Sequence, residues 1–128
     1  MLNLKKVGIW GASEKEGRYA RLAQEHLLAA GYEVVPIAAK AESILGIPAV
    51  AGIKDLPSDT DTLTVYVGAR HIAPHLEDLL ASPVRRFIFN PGTECDASIA
   101  RLRQAGKVVV EGCTLVMLKT GQFEKSKI

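Results

Sequence analysis

The sequence predicts an α/β fold: a doubly wound, mainly parallel sheet of about five strands with helices on both faces. Three observations carry that prediction. Five runs rich in Val, Ile and aromatic residues, at 6–10, 32–38, 62–67, 85–90 and 107–112, are apolar on both faces through their middles, as strands of a buried parallel sheet are. The segments between them repeat apolar residues every three or four positions, which stripes one side of a helix. No repeat, low-complexity tract or Pro/Gly-rich linker interrupts the alternation, so right-handed crossovers join the strands into one sheet. At 128 residues and 48% hydrophobic content, the chain reads as a single domain, 1–128, with enough apolar side chains for one core.

Taken in order, "KVGIW" (6–10) is the first strand, and a Gly-Ala-Ser turn leads to a helix starting near Gly17 or Arg18. Ala20, Ala23, Leu27 and Ala30 form its apolar stripe, and Gly31 stands just past its end, where a left-handed C-cap residue is wanted. "YEVVPIA" (32–38) is the second strand, followed by a longer connection over 43–61. "TLTVYV" (62–67) is the third strand, and Ile72, Leu76, Leu79 and Leu80 mark the second helix. After "RRFIFN" (85–90), Asp96 is placed to cap a third helix carrying Ile99 and Leu102, which Gly106 terminates before "KVVVEG" (107–112). The tail from Thr114 adds a short helix or strand with a frayed, charged end.

Composition narrows the function. A net charge of +2 from 16 basic and 14 acidic side chains, with no basic run, argues against nucleic acid as a partner. Two cysteines, Cys95 and Cys113, make neither a disulfide framework nor, with His26, His71 and His75, a metal-ligand spacing, so no metal site is expected and the chain reads as intracellular. Nowhere do about 18 apolar residues run together, and the N-terminus lacks a cleavable signal, so the expectation is a cytoplasmic protein with no membrane partner.

Ligands of open α/β sheets bind beyond the carboxyl ends of the strands, where the strand order reverses. Those ends carry Gly11-Ala12-Ser13, Ala38-Ala39-Lys40, Gly68-Ala69-Arg70 and Asn90-Pro91-Gly92-Thr93, four loops meeting at one crevice. The glycines of the first loop, Gly8, Gly11 and Gly17, fit neither the dinucleotide fingerprint nor the P-loop. A strand, a tight turn and a helix start nevertheless aim backbone N–H groups and a positive helix end at the crevice, which suits an anion. Gly11 permits close approach, the Ser13 hydroxyl can donate a hydrogen bond and Arg18 brings a fixed charge. The same residues also serve as a plain turn, a helix cap and a solvated charge, and the loop by itself leaves both readings open. The second strand adds discrimination: an NAD site wants Asp or Glu at its end, and here Ala38 and Ala39 are followed by Lys40. A cation there matches a phosphorylated ribose, the 2′-phosphate of NADP or the 3′-phosphate of coenzyme A, unless Lys40 is an ordinary surface lysine.

The stretch "GASEKEGRYARLAQEHLLAAGYEVVPIAAKAESILGIPAVAGIKDLP", together with "VYVGARH", "FIFNPGTE" and "VVVEGCTLVMLKTGQF", resembles the CoA-binding domain family, in particular its small stand-alone bacterial members. That family is related in fold to the CoA-binding domain of the succinyl-CoA synthetase alpha subunit. The resemblance implies a Rossmann-like domain that places the pyrophosphate of CoA on Gly11, Ala12 and Ser13 with Arg18, and the adenosine against Ile37, Ala38 and Lys40. Val67, Gly68 and Ala69 would line the ligand's path; apart from the resemblance, Asn90, Pro91 and Gly92 most simply make the turn after the fourth strand, a position that also faces the crevice. One departure is visible: Ala38-Ala39 replaces the family's frequent Asn-Pro, which removes a side-chain hydrogen bond to the ligand.

The expected function is binding of CoA or an acyl-CoA as a carrier, sensor or accessory module rather than catalysis, with no catalytic residue assigned and no protein partner identified. The phosphohistidine used by succinyl-CoA synthetase belongs to another domain. An NADP-dependent oxidoreductase is the alternative, with Tyr19 and Tyr66 the tyrosines near the crevice, and a domain kept only for protein contacts is another. Cys95, just before a helix, and Cys113, near Glu111, are candidates for thiol chemistry, but free cysteines more often serve as small hydrophobic residues and burial is the expected role of both. His71 and His75, four apart, have helix-start or surface roles.

Overall fold

A computed structural model describes residues 6–125. Five strands form one sheet: β1 (Lys6–Trp10), β2 (Glu33–Ile37), β5 (Thr62–Val65), β6 (Arg86–Phe89) and β7 (Val108–Glu111), in the order β2-β1-β5-β6-β7. Every neighbouring pair is parallel, with Trp10 beside Ile37 on one side and Val65 on the other. The order turns back at β1, so the crevice between β1 and β5 is the switch point. Pro36 sits in β2, an edge strand, where a missing N–H costs no ladder bond.

Helices cover both faces. On one side lie α2 (Ala69–Ile72), α3 (Leu76–Ala81) and α4 (Asp96–Gln104), whose Ile72, Leu79, Ile99 and Leu102 pack on Leu63, Val65, Phe87 and Phe89. On the other lie α1 (Tyr19–Ala29), α5 (Thr114–Thr120) and α6 (Gln122–Lys125), whose Ala20, Leu27, Met117 and Phe123 meet Val7, Ile9, Val34 and Ile88. This second face is partly polar. Thr62 and Thr64 of β5 and Arg86 of β6 point into it and are wholly buried. Arg86 donates from Nε to Thr62 Oγ1 at 3.2 Å and from Nη1 to the Phe123 carbonyl at 2.6 Å, and lies 4.4 Å above the Phe123 ring. Burial pulls its pKa down to about 10.

Four sequence expectations need correction. The connection 43–61 contains a hairpin of β3 (Ser43–Ile44) and β4 (Ile47–Pro48), closed by Leu45 and Gly46 at φ of 52° and 79°. Positive φ at both loop residues gives the turn whose twist matches a hairpin. Val50 then adds a short parallel bridge to the free side of β2, accepting from the Ala38 N–H and donating to the Pro36 carbonyl, each at 2.9 Å. The second helix is broken, because Pro74 lacks an N–H and a 3-10 turn over Ala73–His75 separates α2 from α3. Cys95, not Asp96, is the N-cap of α4 and makes no side-chain cap bond; Asp96 is the first helical residue, where its charge faces the helix dipole. Ala30 is exposed past the end of α1, and the buried place in that stripe goes to Gln24, which donates to the Ile44 carbonyl at 2.9 Å. Gly31 and Gly106 do adopt left-handed φ, 91° and 86°, after α1 and α4.

The opposite edge, β7, is guarded by α4: Arg103 Nη2 donates to the Val109 carbonyl at 3.1 Å and pairs with Glu111 at 3.6 Å. No described helix is long and apolar enough to cross a membrane.

Candidate functional site

The carboxyl ends of the strands form one groove made of three connected hollows. Its centre is the loop after β1. Gly11 has φ 91°, and a Cβ there would lie 3.0 Å from Val67 Cγ1 and 3.2 Å from the Tyr66 carbonyl carbon, so only glycine lets the chain turn this close to the loop after β5. The loop is tied on both sides. The Ala12 N–H donates to the Ile37 carbonyl at 3.3 Å, and the Glu14 carboxylate accepts the Leu45 N–H at 2.7 Å, which joins the loop to the hairpin. Ser13 does not cap α1; its Oγ accepts the Lys15 N–H at 3.1 Å and shapes the turn instead. Arg18 is the N-cap, and neither a side-chain cap bond nor an acidic residue covers the first turn of α1. The first N–H groups of a helix have no partner within it, so this positive end is open to an anion.

The middle hollow, about 410 Å³, lies against that helix end, between Gly11, Ser13 and Arg18 on one side and Gly68, Pro91 and Gly92 on the other. A larger one of about 490 Å³ extends toward β2; Ala12, Ile37, Ala38, Lys40 and Val67 line it. Lys40 is exposed at its rim. Trp10, His71 and His75 also line this space and were not legible as site residues. Trp10 meets the His75 ring edge-on at 5.6 Å, and His75 Nδ1 donates to the His71 carbonyl at 2.8 Å. Ala69 opens α2 behind Gly68 and lines none of the three hollows.

The third hollow, about 220 Å³, lies on the far side of the centre and is walled by Tyr19, Tyr66, Asn90, Pro91, Cys113 and Leu115. It shares Tyr19, Tyr66 and Pro91 with the middle one, so the two are continuous. Asn90 is 3% exposed and its amide is committed: Nδ2 donates to Thr64 Oγ1 at 2.7 Å and to the Val65 carbonyl at 2.8 Å, while Oδ1 accepts the Thr114 N–H at 2.9 Å. Its backbone carbonyl accepts from the Thr93 N–H across Pro91 and Gly92, and Gly92 has φ 89°, as the third position of a type II turn requires. Asn90 therefore holds the start of α5 and the wall of the groove in place. Thr64 and Thr114 share a hydroxyl bond of 2.7 Å, and burial pushes the nearby Tyr66 phenol up to about 12.

Both cysteines are free thiols. Cys95 packs against the apolar core and donates from Sγ to Ser98 Oγ at 3.3 Å, away from the groove, whereas Cys113 stands in the third hollow. Among the described residues, no three of His, Cys, Asp and Glu are grouped to hold a metal ion.

Known proteins are similar to this chain in sequence and fold. A Bacillus subtilis (strain 168) protein, YneT, is 22% identical over 106 residues, which cover 83% of this chain and 78% of that one. The crystal structure of an uncharacterized protein is 35% identical and superposes with a TM-score of 0.88 over 95% of this chain and 100% of the other. The structure of cell-free ID.343 from Thermus thermophilus is 28% identical, with a TM-score of 0.86 over 91% of this chain and 90% of that one. Residues 5–119, which run from the start of β1 through all four groove loops into α5, match the CoA binding domain, and the chain thus belongs to that family.

Proposed function

We propose that residues 1–128 form one stand-alone domain that binds coenzyme A or an acyl-CoA in this groove, as a cytoplasmic carrier or sensor. The observation that carries the reading is the pairing of an open helix end with a cation on the β2 side, in a groove of the CoA binding domain family. The pyrophosphate lies on Gly11, Ala12 and Ser13, meeting the first N–H groups of α1 and the Arg18 guanidinium. Adenosine occupies the hollow beside Ile37 and Ala38, with its 3′-phosphate at Lys40. Val67 and Gly68 form one bank of the groove, with Ala69 behind them, and Pro91 and Gly92 form the other, while Asn90 acts by positioning.

Thermal unfolding of the purified chain tests this. CoA at about 100 times its dissociation constant adds about 2.7 kcal/mol, a rise on the order of 10 °C, and NAD adds nothing. Lys40→Ala weakens CoA by about 1–2 kcal/mol in titration calorimetry and leaves dephospho-CoA unchanged. A shift with NADP and none with CoA would instead establish the oxidoreductase alternative.

A further inference from the structure

We propose that the third hollow is an acyl-group pocket, which makes the preferred ligand a thioester of CoA with a short, uncharged acyl chain. This rests on the CoA reading above and adds the direction and chemistry of the free end. CoA is a linear ligand with its phosphates between adenosine and pantetheine. With phosphate at the open end of α1 and adenosine on the β2 side, the pantetheine arm has the opposite side of the central hollow left to it. There the groove continues into the third hollow through the shared walls Tyr19, Tyr66 and Pro91.

The walls define what fits. Of the six residues, none is charged. The Asn90 amide is already bonded to Thr64, Val65 and Thr114, and the Tyr66 hydroxyl is turned inward, out of reach of solvent. What faces the space is ring, proline, thiol and leucine surface. An acyl chain of a few carbons gains by leaving water here. A carboxylate, as on a dicarboxylic acyl group, would be desolvated beside walls that offer no charged partner. The partial enclosure limits length as well, since about 220 Å³ accommodates a short chain and not a fatty acyl tail.

Titration calorimetry of the full chain with CoA, acetyl-CoA, butyryl-CoA and succinyl-CoA decides the matter. Butyryl-CoA is expected to bind about 15-fold more tightly than acetyl-CoA, two further buried methylenes at about fourfold each, and succinyl-CoA no more tightly than CoA. Leu115→Trp fills the pocket and should bring the ratio of butyryl-CoA to acetyl-CoA affinity to within about twofold. A flat series in the wild type, or succinyl-CoA binding as tightly as butyryl-CoA, overturns the pocket while leaving CoA binding intact. So does a ratio that survives in a folded Leu115→Trp protein. If that variant does not fold, the wild-type series still decides. No binding of any of the four, CoA included, overturns the CoA reading itself and the pocket with it.

Discussion

Beneath α2, α3 and α4 the sheet presents Leu63, Val65, Phe87 and Phe89, all fully buried, whereas beneath α1, α5 and α6 the neighbouring positions of the same two strands present Thr62, Thr64 and Arg86 beside a single apolar residue, Ile88. The period of two along a strand sends alternate residues to opposite faces, so β5 and β6 serve both chemistries. The apolar face is held by area and close packing, which are large and non-directional. The partly polar face also packs, Met117 and Phe123 among its apolar side chains, and adds hydrogen bonds with fixed geometry, two of which reach across to helices: Asn90 to the first N–H of α5 and Arg86 to a carbonyl of α6. One face is held by packing alone; the other packs as well and adds the bonds that position the helix whose start carries Cys113 and Leu115 to the groove.

Three measurements sharpen or break this contrast. The largest effect belongs to the apolar face, where Phe87→Ala should cost about 3–5 kcal/mol in urea unfolding by leaving a cavity under α3 and α4. Amide exchange at Thr114 in that variant should change only as much as global stability does. Asn90→Ala should cost less, about 2–3 kcal/mol for the buried groups it orphans, yet accelerate exchange at Thr114 beyond the global loss. If Phe87→Ala loosens Thr114 as strongly, relative to its stability, the two faces do not divide the work. The smallest effect is alkaline. Burial raises the Tyr66 phenol to about 12, so above pH 10 the unfolded chain loses this proton while the folded one keeps it, and stability falls as pH rises through that window. At pH 11 the loss from this group is about 1.4 kcal/mol, one unit of linkage. Tyr66→Phe should therefore lose about that much less than the wild type between pH 8 and pH 11, and equal losses would mean the phenol is not buried in the polar face.

The strands were legible because a parallel sheet buried on both faces needs apolar runs, and Gly31 and Gly106 were legible because a left-handed cap suits glycine. The hairpin escaped because its whole signal is two strand residues on each side of Leu45-Gly46, and Leu45 is a poor choice for positive φ. Asp96 misled because the backbone turned one residue earlier, at Cys95. In the groove, residues next to strand ends were readable in advance: Gly11, Ser13, Arg18, Ala38, Lys40 and Gly68 all line it. Trp10, His75, Cys113 and Leu115 were not, since their presence depends on which loop lies beside which across the finished sheet. The state of the Asn90 amide is of the same kind, because whether it faces a ligand or the core depends on Thr64 and Thr114, 26 and 24 residues away.

The Arg103 contact has a bearing on how this protein behaves in a crowded solution. A last strand offers a row of N–H and C=O groups to any passing extended chain, and a short Val-rich strand is an inviting template. Here the guanidinium occupies the Val109 carbonyl and pairs with Glu111 at the end of the strand. A strand approaching β7 would have to displace a bonded cation and take up position against a charged rim. The same side chain that ties α4 to the sheet thus works against edge-to-edge pairing at β7.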